Sequence, residues 1–149
     1  MHYYEDIEIG DVEEYGKYEV TKEEIKEFAR KYDPQPFHLD EDAAKESIFG
    51  ELVASGWHTA AIMMRLSVVN SEEESAFLGS FGIDEIRWKS PVRPGDTLRR
   101  RSEVIEKRLS ESRDDRGYVK SRIEGLNQND EVVISMIGNG IYACRPDDG

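Results

Sequence analysis

The chain has 149 residues, 32 acidic against 20 basic side chains, a net charge of −12 and one cysteine, Cys144. That length supports a single domain over 1–149 with its own core, and the lone cysteine excludes an internal disulfide and a cysteine-based metal site. The acidic balance argues against nucleic acid and anionic membrane as partners, because phosphate binding needs a basic field.

Ile7-Glu8-Ile9 alternates and breaks at Gly10-Asp11, a turn signal. No apolar run reaches membrane-spanning length, and Met1 to Asp6 lacks a signal peptide's basic and apolar regions. A reducing cytoplasm is therefore the expected compartment. Residues 15–20 alternate again and predict a strand. Thr21-Lys22-Glu23-Glu24 has the form of a capping box: the Thr21 hydroxyl takes the Glu24 N–H and the Glu24 carboxylate reaches back to Thr21. Ile25, Phe28, Ala29 and Tyr32 follow at helical spacing as one apolar stripe, and Pro34 ends the helix.

Tyr32-Asp33-Pro34-Gln35-Pro36-Phe37-His38 comes next. Each proline fixes its own φ at about −65° and keeps the preceding residue out of the helical region. The segment therefore reads as a stiff, extended turn that sets a carboxylate, Asp33, and an imidazole, His38, at a fixed separation. Such a pair can share one water or one substrate proton. An Asp before Pro also opens ordinary turns, and a histidine beside a turn often bonds only to backbone, so spacing alone leaves both readings open.

Asp40, with Glu41 and Asp42 behind it, predicts a short capped helix. Phe49-Gly50-Glu51 is a turn. Over 57–69 apolar residues fall on nearly every side, with Arg65 the one charge, which predicts a long central helix wrapped by other structure. Residues 70–75 form its acidic exit loop. Segments 81–86, 87–89, 98–107, 118–127 and 132–144 read as strands, separated by turns at 94–96, 112–117 and 127–130. Long strands joined by tight turns pair antiparallel. The fold class is α+β, one buried helix against a curved antiparallel sheet.

Residues 33–44 resemble the signature of the MaoC-like hydratases and dehydratases, which are (R)-specific enoyl-CoA hydratases on the hotdog fold. That signature runs Asp, any residue, Asn, Pro, an aliphatic, His, five residues and a small one. Here it reads Asp33-Pro34-Gln35-Pro36-Phe37-His38, Leu39 to Ala43, then Ala44, with Gln35 in place of Asn and Phe37 in place of the aliphatic. Leu52-Val53-Ala54-Ser55-Gly56-Trp57, Ser90 to Leu98 and Asn127-Gln128 resemble further segments of the same family, so the likeness spans nearly the whole chain.

The resemblance implies a single hotdog domain, a long central helix wrapped by the curved antiparallel sheet. It implies that Asp33 and His38 activate a water for reversible addition to a trans-2-enoyl-CoA, giving an (R)-3-hydroxyacyl-CoA, and that the Gly56 N–H meets the thioester carbonyl. A helix N-terminus suits the negative charge of an enolate, and glycine lets the carbonyl approach. Gln35, Phe37, Ser55, Trp57 and Arg93 are the expected substrate-binding residues. The expected partner is the acyl-CoA thioester, whose coenzyme A is substrate rather than cofactor, and the expected assembly is a homodimer or higher homo-oligomer joined across a two-fold axis. Two rivals stand beside this: an acyl-CoA thioesterase on the same fold, and a non-catalytic acyl-CoA-binding module.

His58 reads as a satisfied helical histidine, and with three histidines and no pair at ligand spacing no metal site is expected. Ser55 is placed to cap the central helix. In Arg99-Arg100-Arg101 alternation lets Arg99 and Arg101 share a face. They serve there either for CoA phosphates or, the favoured reading, for cross-strand ion pairs. Met63 and Met64 read as core, and the tail from Arg145 to Gly149 as frayed.

Overall fold

The computed structural model describes residues 1–70 and 74–146. Strands β1 (Val12–Glu19), β2 (Phe77–Trp88), β3 (Thr97–Leu109), β4 (Arg116–Leu126) and β5 (Val132–Ala143) form one sheet in the order β1-β3-β4-β5-β2. All neighbours pair antiparallel, and every pairing contains at least one register shift. Such bulges bend a strand and increase its twist, which lets the sheet wrap a helix. β2 is one strand from Phe77, where the sequence predicted two pieces from residue 81.

The sheet closes on helix α4 (Gly56–Asn70), which buries Thr59, Ile62, Met63 and Leu66. Ile62, Met63 and Leu66 join Val20, Ile25, Leu98, Val133 and Ile134 in the main core. Fully burying an aliphatic side chain of this kind contributes about 1.5–3 kcal/mol, so this one cluster holds the layers together. The prediction that α4 is wrapped on all sides does not hold within the chain. Trp57, Met64, Val68 and Val69 are 58%, 59%, 68% and 57% exposed, so Met64 is not a core residue. One five-stranded layer covers one face of the helix and leaves the other open.

Helix α1 (Lys22–Tyr32) starts where expected, the Thr21 hydroxyl accepting the Glu24 N–H at 3.2 Å. The reciprocal half of the capping box does not form, because the Glu24 carboxylate turns inward to Tyr18 and His58. Asp33 caps the C-terminal end of α1, its N–H bonded to the Ala29 carbonyl at 2.9 Å. A tight turn follows, the Gln35 N–H bonded to the Asp33 carbonyl at 2.7 Å, and only Gln35 is then extended. Pro36 opens a one-turn helix, α2 (Pro36–Leu39), instead of continuing an extended turn. The first helical position suits proline, whose missing N–H is not needed there. Helix α3 (Glu41–Lys45) follows, capped by the Asp40 side chain.

Of the predicted exit loop, 71–73 lie outside the described residues, as do 147–149 of the tail. Arg145 is not frayed: its N–H bonds to the Glu5 carboxylate and its guanidinium pairs with Asp6.

Candidate functional site

Asp33 and His38 meet at the N-terminal end of α4. The His38 ring is buried, with Nδ1 2.6 Å from the Val53 carbonyl oxygen. A carbonyl only accepts, so Nδ1 carries the hydrogen and Nε2 presents a lone pair in the neutral ring. That Nε2 lies 3.3 Å from Asp33 Oδ2. The same carboxylate accepts a bond from the Ser55 hydroxyl at 2.7 Å on Oδ2 and from the Gln35 amide at 2.6 Å on Oδ1. Burial pushes the Asp33 carboxyl up, but the hydrogen bonds from Ser55 and Gln35 outweigh it and hold it below its ordinary value. An ionised carboxylate and an imidazole lone pair therefore face one point, the arrangement that holds a water by both hydrogens.

Ser55 links this pair to the helix. Its hydroxyl accepts the Trp57 N–H at 3.3 Å while its carbonyl accepts the His58 N–H at 3.0 Å. Gly56 heads α4, where helical geometry leaves its N–H without an intrahelical acceptor. The need for glycine has a second cause that the sequence does not show: a Cβ there would sit 2.4 Å from the Trp88 indole of β2.

The remaining predicted residues divide. Gln35 holds the carboxylate. Phe37 packs edge-on against the His38 ring at 4.5 Å and tilts against Phe49, so it fixes the imidazole from behind. Trp57 stands exposed and packs edge-on against Trp88. Arg93 pairs with Glu51 at 2.9 Å, and no contact ties it to Asp33 or His38. Arg99 pairs with Asp130, and Arg101 lies within ion-pair reach of Glu14 and Glu124, the pattern of a solvated strand face. Among the described residues no three His, Cys, Asp or Glu side chains gather to hold a metal ion. No helix among them is long and apolar enough to cross a membrane.

Sequence reasoning missed a second polar cluster beside this one. His58 Nε2 lies 3.0 Å from Glu24 Oε1, to which the Tyr18 hydroxyl also donates. The His58 ring stacks on Phe28 with centroids 4.8 Å apart. Desolvation, then the bond to Glu24, pushes the Tyr18 hydroxyl up to about 12. His58 is satisfied only at Nε2; its Nδ1 is buried without a partner among the described residues. These residues floor a groove of about 350 Å³ between α1 and α4, with Phe28, Tyr32, Ile62 and Arg65 along it. Tyr32, on its lining, precedes Asp33 in the chain. The sequence signal was Glu24 at a capping position, which pointed to the wrong partner.

Residues 8–124 match the family model described as the MaoC like domain. The crystal structure of a MaoC-like dehydratase from Rhodospirillum rubrum is similar with a TM-score of 0.89 at 44% identity, over 97% of this chain and 99% of that one. The unliganded R-hydratase of Pseudomonas aeruginosa gives a TM-score of 0.73 at 25% identity, over 97% of this chain and 87% of that one. A 3-hydroxybutyryl-CoA dehydratase from Methylorubrum extorquens is 30% identical over 105 residues, 70% of this chain but 64% of that protein. The chain belongs to the MaoC-like dehydratase family and has its hotdog fold.

Proposed function

We propose that the chain is a hydro-lyase that adds water reversibly to a trans-2-enoyl-CoA in the cytoplasm, giving the (R)-3-hydroxyacyl-CoA. The observation that carries this reading is the Asp33–His38 pair, 3.3 Å apart, with every other polar atom of the two side chains already engaged. The names of the hydratase and dehydratase relatives support the same reaction class.

In the hydration direction Asp33 accepts one hydrogen of the water and His38 Nε2 removes the other. The water oxygen forms its bond to C3 as this O–H bond breaks. The double-bond electrons move into the thioester, whose oxygen takes up negative charge at the Gly56 N–H and the positive end of α4. The imidazolium Nε2–H then gives its proton to C2, so His38 returns neutral and the proton lost by water ends on carbon. Ionised Asp33 stabilises the imidazolium between these steps. The acyl group lies in the groove between α1 and α4.

The open face of α4 and the sheet edge at β2 support a homodimer. Phe77, Leu78, Phe81 and Trp88 on β2 are exposed, as are Trp57, Met64 and Val68 on α4. An unpaired apolar edge strand invites association, and two-fold pairing of β2 with its copy covers both surfaces at once.

The test is loss of enoyl thioester absorbance across short, medium and branched enoyl-CoA esters, for wild type, Asp33→Asn and His38→Ala. Turnover by wild type that falls at least about a hundredfold in each variant is the expected result. Release of free CoA from saturated acyl-CoA, without enoyl turnover, would instead establish the thioesterase. Binding of CoA esters with no turnover of either kind would establish the binding module.

A further inference from the structure

Arg100 sits between Arg99 and Arg101 and points the other way. With Leu98 and Ser102 it faces the inside of the sheet, and it is only 9% exposed. Among the described residues no carboxylate lies within ion-pair distance of its guanidinium. Its electrostatic neighbours are Glu13, Tyr15 and Tyr142. The Glu13 carboxylate, the one anion of the three, is exposed and accepts the Tyr15 hydroxyl at 2.8 Å. Burial pushes the guanidinium down, yet an arginine stays charged in proteins. A buried charge without a close ion-pair partner is unfavourable, and protein interiors meet that penalty with a partner.

The space beside Arg100 has room for such a partner. A cavity of about 720 Å³ separates the sheet from the C-terminal end of α4, and hydroxyls of Ser67, Ser102 and Ser121, with the Asn70 amide, line it. This volume falls in the range of small-molecule sites, about 300–1,000 Å³, and far exceeds a single inorganic ion. The exposed Asp11, Glu13 and Glu14 also line it. Three outer carboxylates against one guanidinium oppose each added negative charge, a second more than the first, so a ligand with a single charge that sits on the guanidinium itself is favoured over a dianion. The cavity is not the thioester site: Gly56 and Asn70 lie fourteen residues apart on α4, about 21 Å at the helical rise.

We propose that this cavity is a second binding site, for a small organic monocarboxylate, whose carboxylate takes both arms of the Arg100 guanidinium while its body lies against Ser102 and Ser121. The planar fork of arginine fits a carboxylate bidentately, and that geometry distinguishes it from lysine.

The experiment titrates the purified full chain with acetate, propionate and lactate by calorimetry and by thermal melting, with chloride and phosphate at matched ionic strength as comparisons. The expected result is saturable binding of at least one monocarboxylate, one per chain, with a melting temperature that rises with the logarithm of its concentration. Arg100→Lys weakens that binding at least about tenfold through loss of the fork. Arg100→Met abolishes it, and so does Ser121→Leu, which fills the cavity and leaves the guanidinium in place. In chloride buffer Arg100→Met melts at or above wild type, because it removes a buried charge that has no close ion-pair partner. A lower melting temperature for that variant would mean the fold already satisfies the guanidinium, and would overturn the proposal. So would absence of saturable heat with all three carboxylates, equal binding of chloride, or binding that survives Arg100→Met.

Discussion

The two ends of α4 hold the charged side chains beside them in opposite ways. At the N-terminal end Asp33, His38, Ser55 and Gln35 form a closed set in which each side chain positions another. At the C-terminal end Arg100 is buried beside a cavity with no ion-pair partner among the described residues. A closed network holds a geometry, which a reaction needs, because misplacement of a catalytic group by an ångström is expensive in rate. An open polar cavity leaves a charged group accessible instead of fixing it.

The sharpest way to break the comparison is at the closed end. If Asp33 and His38 act on one water, either substitution removes the shared step. The double variant Asp33→Asn/His38→Ala is then expected to be no slower than the worse single one within a few-fold, each falling at least about a hundredfold in kcat. Multiplying losses in single-turnover kinetics would show that the two groups serve separate steps.

Gly56→Ala tests how tightly that end is packed. The added Cβ meets the Trp88 indole at 2.4 Å, and overpacking of this kind costs about 1–3 kcal/mol. Urea unfolding of Gly56→Ala is expected to show that loss, and Trp88→Leu in the same chain to recover much of it. Recovery of stability without recovery of turnover would separate the N–H's role from the packing role.

Ser55→Ala removes two bonds at once, the cap on α4 and the bond to Asp33. Loss of an N-cap costs about 1 kcal/mol. The pH effect has a definite sign. Asp33 is held below its ordinary value partly by Ser55, so its ionisation contributes stability that is present above the unfolded carboxyl value and lost as pH falls through the folded one. Without Ser55 the folded value rises. The acid limb of kcat against pH is expected to move upward, and the wild-type advantage in stability to shrink below about pH 4, where the unfolded carboxyl protonates. An unmoved acid limb would mean that a group other than Asp33 sets it.

The same contrast explains what was legible in the sequence. Asp33, Gln35 and His38 lie in one short segment, and Ser55 and Gly56 in another, so local chain geometry and the family likeness pointed to the candidate site. Pro36 misled because proline suits both an extended turn and a first helical position. Glu24 misled because a local capping partner was available on paper, while the fold supplies His58, 34 residues away. Alternation along β3 put Arg100 opposite Arg99 and Arg101, but Leu98 and Ser102 alone do not say which face is inward. That depends on register with β1 and β4, where Tyr15 and Gly125 stand opposite Arg100.

Met63 and Met64 show the same limit on a helix. Apolar residues surround α4, so its sequence has no preferred face, and only the position of the sheet buries Met63 at 1% exposure while leaving Met64 at 59%. The open face also gives the smallest effect expected on folding. Met64→Lys touches no core contact of the single chain, so the isolated subunit's stability should change by less than about 0.5 kcal/mol. Dimerisation through this face would bury that lysine's charge in an apolar contact, which is unfavourable unless it is paired. Sedimentation of wild type is therefore expected to give a dimer, and Met64→Lys to shift it toward monomer at the same concentration. A variant that sediments as wild type would show that α4's open face lies outside the subunit contact, leaving the β2 edge to account for any association.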